Sequence, residues 1–581
     1  MTVTETPPVT DTVAATNRDD DAPDPLSGVA AVIATGQHKT IGRLYLFTAL
    51  VFAIAALVLG VLVAFEQVDT SGVDIFGGAE AYVQMVILFR FSMVFMVVVP
   101  LFIGLATYIT PLQVGAPSVA FPRAAAAAYW TWLVSSGIFV GAFLADGGFI
   151  AGGDAESVEL ALLAFGGLIA SLLVATTTVL TTIVSQRAEG MTLDRIPLFS
   201  WSMLVAGAMW LFTLPVLIAD IALSWVDLRG ETALFFDPGV DGFGSYPYLS
   251  WVLDQPQVFA FAIPIVGVVA ELVPIAAARR QALNGLMMGA IAALGLLTFG
   301  AYAQPVFNAT VASEPVYIVQ MMLLVLPIVI MAGGWAFTLR GGAPMASLPL
   351  GIAGGALVML IAAAGVAALR VLGGLVGGLS ELDDWGWVDD FREPFDDLAG
   401  TAIVASLFYY VVFAGLIAAV AGLRHWGPKM FGRRLNPALG SLAGLALIGG
   451  TVLAALPEAV NGFLDEPDFL ASGTVDDGVE VMNLISAIGL VIVLLGVVLL
   501  LVDVFSSIVL GRGDLAGDDP WGGQTLEWAT TSPPPATNFD SAPKVSSERP
   551  LLDADDTGDA DVDDTDADDT NSDDTVDDGA S

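Results

Sequence analysis

The sequence predicts an all-α polytopic membrane protein, a bundle of twelve transmembrane helices. Three observations carry that expectation. Of 581 residues, 56% are hydrophobic, although both ends of the chain are strongly acidic. Apolar runs of about 20 residues, the length that crosses a bilayer, recur twelve times. Basic residues fall in alternate connecting stretches, the pattern of short loops held on the cytoplasmic side.

The runs lie at 43–65, 83–109, 125–146, 158–184, 199–224, 256–277, 284–306, 317–339, 348–372, 401–422, 439–462 and 481–510. Lys39 and Arg43 stand at the start of the first, and Arg123 between the second and third. Arg187 and Arg195 separate the fourth from the fifth, Arg279 and Arg280 the sixth from the seventh, and Arg340 the eighth from the ninth. Arg424, Lys429, Arg433 and Arg434 follow the tenth, and Arg512 follows the twelfth. The other loops carry only Arg229 and Arg392, among the acids Asp227, Glu231, Asp389 and Asp390. The alternation never inverts, so both termini are expected in the cytoplasm, with the chain multi-pass in the plasma membrane.

The net charge of −40 is concentrated outside the apolar runs. Residues 1–35 and the Asp-rich 541–581 lack the apolar surface that folding needs and are expected to be disordered tails around a membrane domain at 36–540. Acidity of this degree suggests a salt-rich cytoplasm such as that of halophilic archaea. The first 40 residues hold no continuous apolar stretch of the signal-peptide kind. With no cysteine, disulfides, thiolate metal sites and Cys-ligated clusters are excluded. No Gly-rich phosphate loop is present, and nothing points to nucleic acid.

Short strings between the runs carry a resemblance. They are HKTIGRLYL (38–46), PLQVGAPSVAFPR (111–123), WVLDQPQVF (251–259), AYAQPVF (301–307), WAFTLRGG (335–342), HWGPKMFG (425–432) and DPWGGQTLEWATTSPPPATNF (519–539). In this order, and on these helices, they resemble subunit I of the heme–copper oxidases, the cytochrome c and quinol oxidases of respiratory chains. The resemblance implies a twelve-helix bundle with both ends inside. It also implies oxygen reduction to water with proton pumping, and partners such as a subunit II-like protein.

The resemblance further implies six histidines within the helices: two on a low-spin heme, one on a high-spin heme and three on a copper. This chain has two histidines in all, His38 and His425, both outside the depth of such a site. Matched position by position, Gln255 replaces a copper ligand, and Gln304 and Pro305 replace the adjacent pair. Ser406 and Phe408 replace the two heme ligands of the tenth helix. Phe89, or its neighbour Arg90, replaces the low-spin ligand of the second. Phe259 stands for the family tyrosine, Gln257 for the proton-feeding glutamate, and Met331 for the eighth-helix lysine. Ser118 and Ala125 stand for the aspartate and asparagine of the proton path. Asp468 and Phe469 stand for the arginine pair that grips heme propionates. Iron and copper need positioned imidazoles, so no catalytic, cofactor or metal residue is expected. Heme and copper would require ligands of another kind.

Phe89, Phe408, Phe259 and Pro305 are expected to fill the cofactor volume, since an empty cavity costs about 24 cal/mol per Å³. Asp254 is expected to cap the sixth helix, with Pro256 in its first turn. Arg90 and Glu271 are intramembrane charges, which are costly and are usually paired or functional. Asp220 is the first expected partner of Arg90 and Glu271 the second. Three functions stay open on these residues: a non-catalytic structural or regulatory component of a respiratory assembly, an active terminal oxidase, or a carrier that reuses the emptied bundle.

Overall fold

The computed structural model describes residues 28–68, 74–150, 153–230, 244–303, 314–372, 398, 400–468, 477–539, 541 and 543–553. Twelve main helices follow one another. They are α1 (His38–Val68), α2 (Ala79–Gln113), α3 (Pro122–Leu144), α4 (Ala155–Ser185), α5 (Leu198–Gly230) and α6 (Ile263–Ala277). Then come α7 (Asn284–Leu297), α8 (Glu314–Gly341), α9 (Leu348–Arg370), α10 (Ile403–Phe431), α11 (Pro437–Phe463) and α12 (Asp477–Val504). Eleven of the described helices are long and apolar enough to cross a membrane.

The exception is α7. Its 14 residues reach about 21 Å at 1.5 Å per residue, short of the ~30 Å hydrocarbon core. Within the expected run of 284–306 the α-helix ends at Leu297, a 3₁₀ turn follows at Ala301–Ala303, and 304–306 lie outside the described residues. Thr298 turns its hydroxyl back to the Gly295 carbonyl at 2.7 Å. The Gly300 amide donates to Gln257 at 3.1 Å instead of continuing the helix.

Position in the bundle follows from which faces are apolar. A helix that is apolar all round must be enclosed, whereas one with a single contact stripe can face lipid. The apolar windows of α2, α6 and α10 are 100%, 100% and 94% buried, against 33–56% for the other spans. These three helices form the centre. The others surround it, neighbours in sequence packing side by side, and α12 returns to pack on α1. Where α1 crosses α2 the backbones touch: a Cβ on Gly42 would lie 2.8 Å from the Gly104 carbonyl oxygen. Small residues at helix crossings permit such an approach.

Two central helices are irregular. α2 contains a π-helical turn, Met93–Val98, and the Phe95 carbonyl within it accepts from the Trp132 indole at 3.0 Å. α6 is preceded by a 3₁₀ turn, Gln257–Phe261, and begins at Ile263 rather than at 256. Asp254 does not cap it: that carboxylate instead forms a bidentate ion pair with Arg370 of α9. A full ion pair offers a carboxylate more than one backbone amide does.

One end of the bundle carries most of the basic loops and is termed the basic end. The string 519–539 folds across it. Lys429 donates to the Asp518 carbonyl at 2.9 Å, and the Trp521 indole to the His425 carbonyl at 2.9 Å. Asn538 donates to the Ala116 carbonyl at 2.8 Å, and Lys39 to the carbonyl of Pro535. The folded part also outruns its expected bounds. Gly28–Ile33 is helical, and 543–553, expected in the tail, packs against the bundle with the Val545 amide donating to the Glu189 carbonyl at 3.0 Å. Residues 1–27 and 554–581 lie outside the described residues.

Candidate functional site

The inner faces of α2, α6 and α10 enclose the positions matched to cofactor ligands. Phe89 on α2 sits against Gly60 of α1, where a Cβ would lie only 2.5 Å from its ring. Across the centre the Phe89 ring meets Phe408 edge-on at 6.4 Å and Tyr409 at 6.2 Å. Aromatic contact thus occupies the space between the matched positions of α2 and α10. Ser406 is fully buried, and its hydroxyl has no partner among the described residues.

Arg90 corrects the expected pairing. Its guanidinium grips Asp468 through two hydrogen bonds of 2.6 and 2.7 Å, and both side chains are almost wholly enclosed. The Arg90 Cζ also lies 5.8 Å from the Phe408 ring centre. Neither Asp220 nor Glu271 is its partner. Asp220 accepts from the Trp251 indole at 3.0 Å. Glu271 accepts from the Phe199 amide at 3.1 Å and from Arg549 at 3.0 Å. The cause is the stretch after α11, which folds back on the start of α10. The Ala402 amide donates to the Glu466 carbonyl at 2.8 Å, and the Asp468 amide to the Gly400 carbonyl at 2.9 Å. That fold brings Asp468 to α2. The acid that stands at a position matched to a propionate-gripping arginine answers an arginine here.

The WVLDQPQVF string forms the approach to α6. Gln257 is a clamp: its amide nitrogen donates to Thr213 of α5 at 3.0 Å, and its oxygen accepts from Gly300 beyond α7. Gln255 is buried, with no hydrogen bond to its amide among the described residues. Phe259, Ala125 and Met331 are buried in the apolar core. Gln304, Pro305 and Phe469 lie outside the described residues.

Sequence reasoning missed several charges. Arg370 is the partner of Asp254. Glu458 is buried on α11, where it accepts from Ser486 of α12 at 2.7 Å. Beside it Asn461 donates to Asn483 at 2.7 Å. Both charges stood inside apolar runs and were findable by the rule that located Arg90. Arg549 was hidden by the acidic composition around it.

Nearer the basic end lies a second polar group. Glu527 accepts from Gln113 at 3.0 Å and from the Trp426 indole at 3.3 Å, while Gln113 accepts from Ser200 at 2.7 Å. Burial, together with the nearby charge of Glu271, pushes the Glu527 carboxyl above the ordinary carboxylate range. The two histidines belong to this end. His38 Nδ1 lies 3.3 Å from the Ser118 hydroxyl, and the His425 ring packs against Trp521 and Trp528. From Phe408 to His425 the distance along α10 is roughly 26 Å.

The described donors at the matched positions include no imidazole. They comprise a hydroxyl at Ser406 and amides at Gln255 and Gln257, the last already committed to two elements. Stable iron and copper sites of this family use imidazole nitrogen. Among the described residues, no three His, Asp or Glu side chains are grouped to hold a metal ion.

Central α2, α6 and α10, enclosed by a ring of helices, define a polytopic membrane bundle. The family model for cytochrome c and quinol oxidase polypeptide I matches residues 40–492. A probable cytochrome c oxidase subunit 1-alpha of Streptomyces coelicolor is 30% identical over 546 residues, covering 90% of this chain and 89% of that protein. Cytochrome c oxidase subunit 1 of Bacillus subtilis is 31% identical over 539 residues, covering 89% and 82%. A solved heme-copper terminal oxidase dimer shares the fold, with a TM-score of 0.58 at 12% identity over 81% of this chain and 84% of that one. The chain belongs to the cytochrome c and quinol oxidase polypeptide I family.

Proposed function

We propose that this chain is a non-catalytic member of its family, a structural or regulatory component of a respiratory membrane assembly. The observation that carries the reading is the packing at the bundle centre. Phe89 and Phe408 meet where metal-binding imidazoles would face each other, and the Arg90–Asp468 pair closes the volume beside them. Each group there is engaged in packing or pairing, and the donors left over are weak. Its partners in this reading are the bilayer and other respiratory-chain subunits, such as a subunit II-like protein. The basic loops favour both termini in the cytoplasm, with the chain in the plasma membrane.

The test is direct. Purified protein should show no Soret band, no reduced-minus-oxidised difference spectrum, and neither copper nor iron in stoichiometric amount. A difference spectrum together with one copper and two irons per chain would restore an active oxidase.

A further inference from the structure

A cavity of about 730 Å³ opens at the basic end, between the start of α9, the end of α10, the start of α11 and the end of α12. Its cationic wall is built by two loops held together. The Arg434 amide donates to the Asp514 carbonyl at 2.8 Å. The Arg433 guanidinium donates to the carbonyls of Gly511 and Gly513 at 2.9 and 2.7 Å. That pairing brings Arg434 and Arg512 into the lining of one cavity. Arg434 is steadied by Trp521, its Cζ lying 5.8 Å from a ring centre. Deeper in, Arg424 is already neutralised by Asp503 at 2.6 Å and also donates to the Asn436 carbonyl. Arg434 and Arg512 have no ion pair among the described residues, and Asp514 is the one unpaired acid in the lining. The opening thus presents two free guanidiniums against one carboxylate, in a chain of net charge −40.

The rest of the cavity is apolar, with Leu348, Leu439 and Val502 in its wall. Helical spacing continues that wall along the outside of the bundle, through Leu442 on α11 and Leu495 on α12, both more than half exposed. We propose that this cavity holds the headgroup of an anionic phospholipid in the leaflet at the basic end. Its phosphate sits between Arg434 and Arg512, and one acyl chain runs along α11 and α12. The chemistry is that of basic pockets between membrane helices, which take anionic headgroups, and arginine presents a fork that matches phosphate oxygens. Free phosphate would satisfy the arginines equally, but it would leave the apolar wall and its outward continuation without an occupant.

The full chain, delipidated in a neutral detergent, is titrated with phosphatidylglycerol, with phosphatidylcholine of the same chain length, and with inorganic phosphate. Retained lipid is read by native mass spectrometry. Phosphatidylglycerol should be retained about tenfold or more over phosphatidylcholine, the discrimination that two arginines near a membrane surface supply. R434Q/R512Q should lose that preference, while R123Q/R340Q, which removes equal charge from exposed sites of the same end, should keep it. Thermal melting without lipid verifies that both variants fold. Should a double variant fail to fold, the single variants R434K and R512K take its place and should each weaken the preference. Retention unchanged in R434Q/R512Q would overturn the proposal. So would displacement of phosphatidylglycerol by equimolar inorganic phosphate, which would reduce the cavity to a free-anion site.

Discussion

Arg90 and Asp468 lie 378 positions apart in sequence, yet each is the other's bidentate partner. Removing one member of a buried pair leaves an uncompensated charge, at a typical cost of about 3–5 kcal/mol. Arg90→Leu should therefore lower the melting temperature in detergent markedly. Arg90→Leu combined with Asp468→Leu should recover most of the loss, because apolar replacements of similar volume are well tolerated. If Arg90→Leu left the melt unchanged but abolished an ion or solute flux, the carrier reading would replace the structural one. The presence of a costly charge at Arg90 was legible in the sequence, because depth within an apolar run can be counted. Its partner was not. Helical depth suggested Asp220 and Glu271, whereas Asp468 reaches α2 only through the fold of the stretch after α11.

Among the elements, the long spans were legible because an apolar run near bilayer length has few other uses in a folded chain. Helix ends were less so: α7 stops where Thr298 and Gly300 turn their hydrogen bonds aside, and the approach to α6 is a 3₁₀ turn shaped by the Gln257 clamp. The segment 543–553 was read as tail because aspartates dominate the residues C-terminal to it, although one residue, Arg549, binds it to α6. The string 519–539 contributes Glu527, whose carboxyl is raised by burial and by Glu271. An acid with a raised midpoint holds its proton more tightly in the folded than in the unfolded chain. Its ionisation therefore lowers stability as pH rises from the ordinary carboxylate value, roughly 4.3, through the raised midpoint, and the loss is complete above it. Glu527→Gln keeps an acceptor for Gln113 and Trp426. It should raise the melting temperature at neutral pH and flatten the fall over that window. A variant whose pH profile superimposes on the parent would refute this assignment.

For the whole molecule, the fold is shared with a solved heme-copper terminal oxidase, while the described ligand-matched positions hold aromatic, amide and hydroxyl groups. The strings that carried the resemblance mostly lie at the ends of spans, and the structure gives several of them architectural work. HWGPKMFG ends α10 under the loop that contains DPWGGQTLEWATTSPPPATNF, with Lys429 and Trp521 joining the two. Such contacts depend on shape and hydrogen bonding alone, so they persist without any bound group. Orientation is a property at this scale too. Tags placed at the two ends should both be shielded in right-side-out cells or vesicles and become accessible only after permeabilisation. Labelling of the C-terminal tag in intact cells would reverse the assignment.

Arg549 and Glu271 are 278 residues apart, and that separation sets an order of events during synthesis. The carboxylate enters the bundle with α6 while α7 to α12 are still untranslated. Its arginine is made only after α12. Between those moments Glu271 has the Phe199 amide but not this cation. A segment made after the last membrane helix therefore supplies the cation, so that a chain cut short at Val504 would leave the Glu271 carboxylate without it.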